Sequence, residues 1–157
     1  MIGLLQRVCR AGVIVDDEEI ARIGAGLLVL IGVQRGDTPA LARRLLERIM
    51  GYRVFPDEAG RMNRSVVDIG GSVLLVPQFT LAADTRKGMR PGFSGAADPD
   101  RGEALFAHAV ELAAAYPVQV AAGRFGADMQ VSLVNDGPVT FWLEARGSGR
   151  GAERLVQ

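Results

Sequence analysis

Ser72-Val73-Leu74-Leu75-Val76-Pro77-Gln78-Phe79-Thr80-Leu81 reads as a buried strand running straight into a polar, turn-forming cluster. Its apolar half, Ser72 to Val76, has the composition of a sheet interior. Pro77 to Leu81 then places an amide side chain, a hydroxyl and backbone amides where that sheet meets solvent. A second segment repeats the arrangement, with Met129 to Val134 leading into Asn135-Asp136-Gly137-Pro138-Val139-Thr140. Polar groups at strand ends stand on a rigid frame, which is what a site needs.

Outward from these segments the chain alternates strands with two helices. Ile2 to Val15 reads as a long strand, Asp16-Asp17 as a turn, Glu18 to Ile23 as a short strand, and Leu27 to Val33 as a strand apolar enough to be buried on both faces. Thr38-Pro39 has the form of a helix N-cap followed by proline in the first turn. Leu41, Ala42, Leu45, Leu46, Ile49 and Met50 then share one helical face, and Gly51 ends the helix. Tyr52 to Phe55 reads as a strand before a turn at 56–60. Asp98-Pro99 opens a second helix to about Tyr116, with Leu105, Phe106, Ala109, Val110, Leu112 and Ala113 as its apolar stripe. Val118 to Ala121, Met129 to Val134 and Val139 to Glu144 close the sheet, the last two expected as a hairpin around Asn-Asp-Gly-Pro. From Arg146 onward the Gly, Ser and Arg content without periodicity predicts a flexible tail over 146–157.

Composition limits the function. With 157 residues, 48% of them hydrophobic, and a formal net charge of zero, the chain is long enough for one domain with a real core. It is no general polycation, so any nucleic acid must be met by a local basic patch. The longest apolar run is too short to cross a bilayer, and Arg7 and Arg10 interrupt the N-terminal apolar stretch, so no signal peptide is expected. The single cysteine, Cys9, rules out an intrachain disulfide or thiolate metal cluster, suits a reducing cytosol, and is expected as a small core hydrophobe.

The familiar catalytic constellations are missing. His108 is the sole histidine and sits beside the second helix's stripe near Glu111, a structural or solvated position, so neither a histidine triad nor a histidine metal site is expected. Gly24-Ala25-Gly26 lacks the third glycine and the following helix of a dinucleotide fingerprint. What remains is backbone amides, hydroxyls and side-chain amides. Such a site hydrolyses an ester if amides at Gln78, Phe79 and Thr80 stabilise the oxyanion. On spacing alone, Gln78 and Thr80 equally well satisfy a strand end.

Pro77 to Leu81, Asn135 to Thr140, the intervening Ala83-Asp84-Thr85-Arg86-Lys87-Gly88-Met89-Arg90-Pro91 and the opening Gln6-Arg7-Val8 together resemble the D-aminoacyl-tRNA deacylase family, from Met1 to about Glu144. The resemblance implies an α+β domain over 1–145, with a mixed, barrel-like sheet and two amphipathic helices packed on it. It also implies a cytoplasmic homodimer with its active sites at the subunit interface, acting on the 3′ end of aminoacyl-tRNA without cofactor, metal, DNA or membrane. Gln78, Phe79 and Thr80 match the family's strand-end motif around the scissile ester and terminal adenosine. Gly137-Pro138 matches its Gly-cis-Pro pair, which enters the partner's pocket and excludes L side chains while tolerating D-amino acids and glycine. The family is described as using the 2′-hydroxyl of the terminal adenosine to assist water; a threonine nucleophile is the older version.

Other positions keep two readings each. Met129 is a wall of that pocket or a core methionine, and Arg7 braces the Gly-Pro loop or lies on an edge strand. Arg86, Lys87 and Arg90 hold tRNA phosphates or form a solvated basic turn. At position 77 the family usually has serine. A related branch that removes L-alanine from tRNA begins its motif Pro-Gln, but has alanine next and tyrosine after its Gly-Pro, whereas this chain keeps Phe79 and Val139. L-alanyl editing and a non-catalytic dimeric module binding tRNA ends are therefore the alternatives to D-specific hydrolysis.

Overall fold

β1 (Ile2–Val15) is bonded along both edges, and the rest of the sheet is arranged around it. The computed structural model describes residues 1–147. On one edge, the first half of β1 pairs antiparallel with β3 (Gly26–Gly32) and the second half with β2 (Glu18–Ile23). The β1–β2 turn is the expected one, Asp16 and Asp17 taking φ of 48° and 63°, the left-handed pair of a two-residue hairpin. β6 (Ser72–Pro77) lies parallel to β3, and β7 (Gln119–Ala122) lies parallel to β6. These parallel pairs require long crossovers. They contain α1 (Pro39–Gly51) with the small hairpin β4 (Phe55–Pro56) and β5 (Met62–Arg64), and then α2 (Pro99–Ala113).

The two helices start as the sequence indicates. Thr38 Oγ1 accepts from the Leu41 amide and Asp98 Oδ1 from the Arg101 amide, each ahead of a first-turn proline. The helices pack together over one sheet face, where Leu45, Ile49, Leu105 and Phe106 meet Leu27, Val29, Val73 and Leu75. Alternate residues of the same strands, Leu28, Leu74 and Val76, point to the opposite face and form a second core with Val8, Val13 and Ile23. Burial on both faces is why β3 and β6 read as unbroken apolar runs. The result is a nearly closed mixed sheet carrying two helices in an α+β fold, as expected.

Four local expectations are corrected. The closing segments do not form a hairpin: β8 (Gln130–Glu144) is one long strand, and both its halves run antiparallel to β1. Gln6 pairs with Thr140 and Val8 with Asn135, so Asp136 to Val139 form a bulge opposite the single residue Arg7. Cys9 is exposed rather than in the core, because strand alternation beside buried Val8 turns it outward. The strand expected at 52–55 is instead Phe55–Pro56, because the chain leaves α1 through Tyr52, whose amide still bonds Ile49 O. α2 ends at Ala113, short of Tyr116. The expected tail lies outside the described residues from 148 on, including Arg150 and Arg154, while Arg146 pairs with Glu144 at 2.8 Å.

Leu75 is fully buried between the helices and the sheet. Leu75→Ala is expected to lower unfolding stability by about 2–5 kcal/mol in chemical denaturation.

Candidate active site

The motif after β6 forms a turn rather than a simple strand end. The Gln78 amide donates to Ile31 O at 2.7 Å, the last contact along β3, and the chain then winds into one 3-10 turn, Phe79–Ala82. The first bond of that turn runs from the Leu81 amide to Gln78 O, so the amides of Phe79 and Thr80 find no acceptor within it. Gly32 lets the turn dock on β3, since a Cβ there would meet Leu81 Cβ at 2.9 Å. Gln78 Nε2 donates to Thr80 Oγ1, tying the motif's two polar side chains together. Pro77 costs the sheet nothing. Leu75 O already takes the final bond on the β7 side, from the Gly123 amide at 2.8 Å, so the donor that proline lacks has no strand beside it.

Below this turn is a cavity of about 480 Å³, lined among others by Pro77, Gln78, Phe79, Phe106, Phe125 and Met129. Met129 lines this cavity and also packs against the second core. A larger cleft of about 980 Å³ runs past the buried Met1 ammonium and Asp37, and one of about 610 Å³ past Glu19 and Arg22; neither is lined by the two motifs.

The second motif is held just as firmly, but elsewhere. Asn135 Oδ1 accepts from the Val139 amide at 2.9 Å and its Nδ2 donates to Thr140 Oγ1 at 2.8 Å, closing the neck of the bulge. Arg7 lies beneath it with its side chain only 12% exposed, donating from Nε to Asp136 O at 3.1 Å and from Nη1 to Val54 O at 2.6 Å. Arg7 is thus a brace on a doubly paired strand, not an edge-strand surface arginine. The Gly137-Pro138 peptide is cis. Gly137 has φ of 125°, and a Cβ there would come within 2.9 Å of Arg7 Nη2, so the bulge has room only for glycine. Gly137 and Pro138 are exposed and do not line the cavity of their own chain.

The basic loop follows the first motif. Backbone bonds in both directions between Asp84 and Gly92 close it, and Lys87 and Arg90 are exposed with no ion-pair partner among the described residues. Arg86 is not free: its Nε and Nη2 donate to the two Asp84 carboxylate oxygens at 2.8 and 2.7 Å. That hydrogen bonding holds the Asp84 carboxyl well below the ordinary aspartate range. Among the described residues no cluster of His, Cys, Asp or Glu is placed to hold a metal ion. His108 is partly exposed and reaches only Glu111, at 4.0 Å, in keeping with the solvated role expected of it.

Sequence reasoning missed Asn135, although it stands inside the quoted motif, because only the bulge makes it a clamp. Phe106 was read only as part of the second helix's apolar stripe, and Phe125 lies in no motif that the sequence singles out. Asp84 could have been noticed as the lone acid before Arg86-Lys87.

A double-sided α+β sheet, with the Phe79 and Thr80 amides left without acceptors in a strand-end turn beside a largely apolar cavity, is an arrangement able to stabilise an oxyanion without a catalytic triad. The comparisons give the particular family. A family model described as D-Tyr-tRNA(Tyr) deacylase matches residues 4–144. The D-aminoacyl-tRNA deacylase of Alkalilimnicola ehrlichii is 71% identical over 148 residues, covering 94% of this chain and 99% of the relative. That of Thioalkalivibrio sulfidiphilus is 68% identical over 144 residues, covering 92% and 97%. A solved structure titled c-Myc DNA Unwinding Element Binding Protein superposes with a TM-score of 0.88 at 39% identity, covering 94% of this chain and 100% of the other. The chain belongs to the D-aminoacyl-tRNA deacylase family and is a hydrolase of the ester bond in D-aminoacyl-tRNA.

The Asp84–Arg86 pair provides a pH test. A carboxyl whose pKa is depressed in the folded state contributes stability above its unfolded value, about 3.9, and loses it as pH falls through the folded value. In a carboxyl-carbon NMR titration Asp84 is expected to titrate clearly below about 3.9, and in an Arg86→Ala variant to move up toward that value while the position-86 backbone amide still holds it partly down.

Proposed function

We propose that the chain works as a cytoplasmic homodimer in which the Gly137-Pro138 bulge of one protomer closes the strand-end cavity of its partner. The observation that carries this reading is the separation of the two motifs within one chain. The cavity at Pro77, Gln78 and Phe79 is open, while the bulge is exposed on β8, whose outer edge has no strand partner among the described residues. That edge strand also exposes Phe141 and Trp142, the latter 52% accessible, the kind of apolar surface that a second copy covers.

In this assembly the terminal adenosine and its ester occupy the cavity, against Pro77 and Met129. The Phe79 amide stabilises the oxyanion, Gln78 and Thr80 position the ester, and the 2′-hydroxyl of the adenosine assists the attacking water. Arg7 keeps the Gly137 and Pro138 carbonyls aimed where an L side chain would project. An L ester then meets a clash and desolvated oxygens, while a D ester points its side chain away and glycine has none to reject. Rejection without a gripping pocket extends activity to many D-amino acids and to glycine mischarged on tRNA-Ala. Lys87 and Arg90, with Arg86 steadied by Asp84, meet the phosphates of the tRNA 3′ end, and neither cofactor nor metal is needed.

Hydrolysis of matched D-tyrosyl-, glycyl-, L-tyrosyl- and L-alanyl-tRNA by the purified protein tests this reading. Cleavage of the first two alone is expected. L-alanyl cleavage would instead assign the chain to the Pro-Gln branch, and tight binding with no cleavage would make it a binding module.

A further inference from the structure

The rings of Phe79 and Phe93 form an aromatic platform outside the hydrolytic step, for which only the backbone amide of Phe79 is invoked. Their ring centroids lie 5.2 Å apart at an interplanar angle of 48°, yet the residues are 57% and 42% exposed. Two large aromatics packed on each other and left facing solvent are an expensive use of apolar surface, because neither completes a core. Phe93 is not loose: the two backbone bonds between Asp84 and Gly92 fix the residue just before it, and its own carbonyl accepts from the Ala96 amide at 3.0 Å. The platform also has a definite place along the chain. Phe79 lines the cavity and opens the strand-end turn, whereas Phe93 follows directly on the loop carrying Lys87 and Arg90. Exposed aromatic faces between an apolar cavity and free cations are the arrangement that receives unpaired nucleic-acid bases, which stack on any aromatic face regardless of sequence.

We propose that the Phe79–Phe93 platform stacks the unpaired base of the penultimate nucleotide of the tRNA, with Lys87 and Arg90 taking the phosphates on its 5′ side. This rests on the reading that the terminal adenosine occupies the cavity beneath Phe79. The next base along the strand leaves that cavity over the Phe79 edge and meets Phe93, while its phosphate faces the basic loop. The platform supplies binding only: it lies outside the cavity wall at Phe93, so it lowers KM for the polynucleotide without altering the bond-breaking step.

The test compares two substrates in wild-type protein and in Phe93→Leu, which keeps apolar volume but loses the ring. With D-tyrosyl-tRNA, Phe93→Leu is expected to raise KM roughly tenfold at unchanged kcat, and Phe93→Tyr to restore it. With 3′-D-tyrosyl-adenosine, which has no penultimate base, the variant and wild type are expected to be equal. That second substrate also checks folding, and its cleavage by wild type separates failure of the platform from failure of the adenosine reading. Independently, wild-type protein with D-tyrosyl-tRNA made abasic at the penultimate nucleotide is expected to show the same rise in KM. An equal effect of Phe93→Leu on both substrates, or no effect of the abasic nucleotide, would overturn the proposal.

Discussion

The pairing of β1 along both of its edges is the constraint on which the rest of this molecule depends. Fourteen residues are shared by β2 and β3 on one side and by the whole of β8 on the other. Because both halves of β8 must keep register with β1, the unpaired residues Asp136, Gly137 and Pro138 stand outward, while Val139 turns its side chain back into the core. Arg7, the one β1 residue opposite them, then becomes the natural brace, its guanidinium tying Asp136 O in the bulge to Val54 O in the segment after α1. The bulge is thus a consequence of strand register, held by the ladder above and below it.

The same sheet limits where a substrate can be met. β3 and β6 are buried on both faces, so only their ends reach a substrate, and Gly32 leaves the space in which the strand-end turn docks. A turn anchored in that way has amides that cannot reorient. Fixed dipoles stabilise a developing charge better than mobile ones in water, because they need no reorganisation. The single histidine lies on α2 and does not line the cavity beside the first motif.

Much of this could be read in the sequence, for identifiable reasons. Thr38-Pro39 and Asp98-Pro99 located both helix starts because capping is local chemistry. The apolar runs at Leu27 to Val33 and Ser72 to Val76 marked the doubly buried strands because burial on both faces erases alternation. The reading failed where the outcome depends on distant partners. Asn-Asp-Gly-Pro has hairpin composition, and only its pairing with β1 turns it into a bulge. Cys9 looked like a core residue in an apolar strand; alternation beside Val8 turns it to the other face, and whether that face is covered there depends on packing by distant elements. Phe125 and Phe106 became cavity walls through packing that no spacing in the chain encodes.

The central claim is that a working site is assembled from two protomers, and mixing two inactive variants tests it most directly. Phe79→Pro removes the oxyanion amide at the first position of a helical turn, where proline fits, and Gly137→Leu puts a bulky side chain on the bulge where it enters the partner's cavity, blocking that cavity to either enantiomer. A heterodimer of the two keeps one intact cavity facing one intact bulge. Co-refolding equal amounts is therefore expected to restore D-tyrosyl-tRNA cleavage to about a quarter of the wild-type level, because half of the randomly formed dimers carry one good site of two. No recovery from the mixture, with dimers present, would contradict the account.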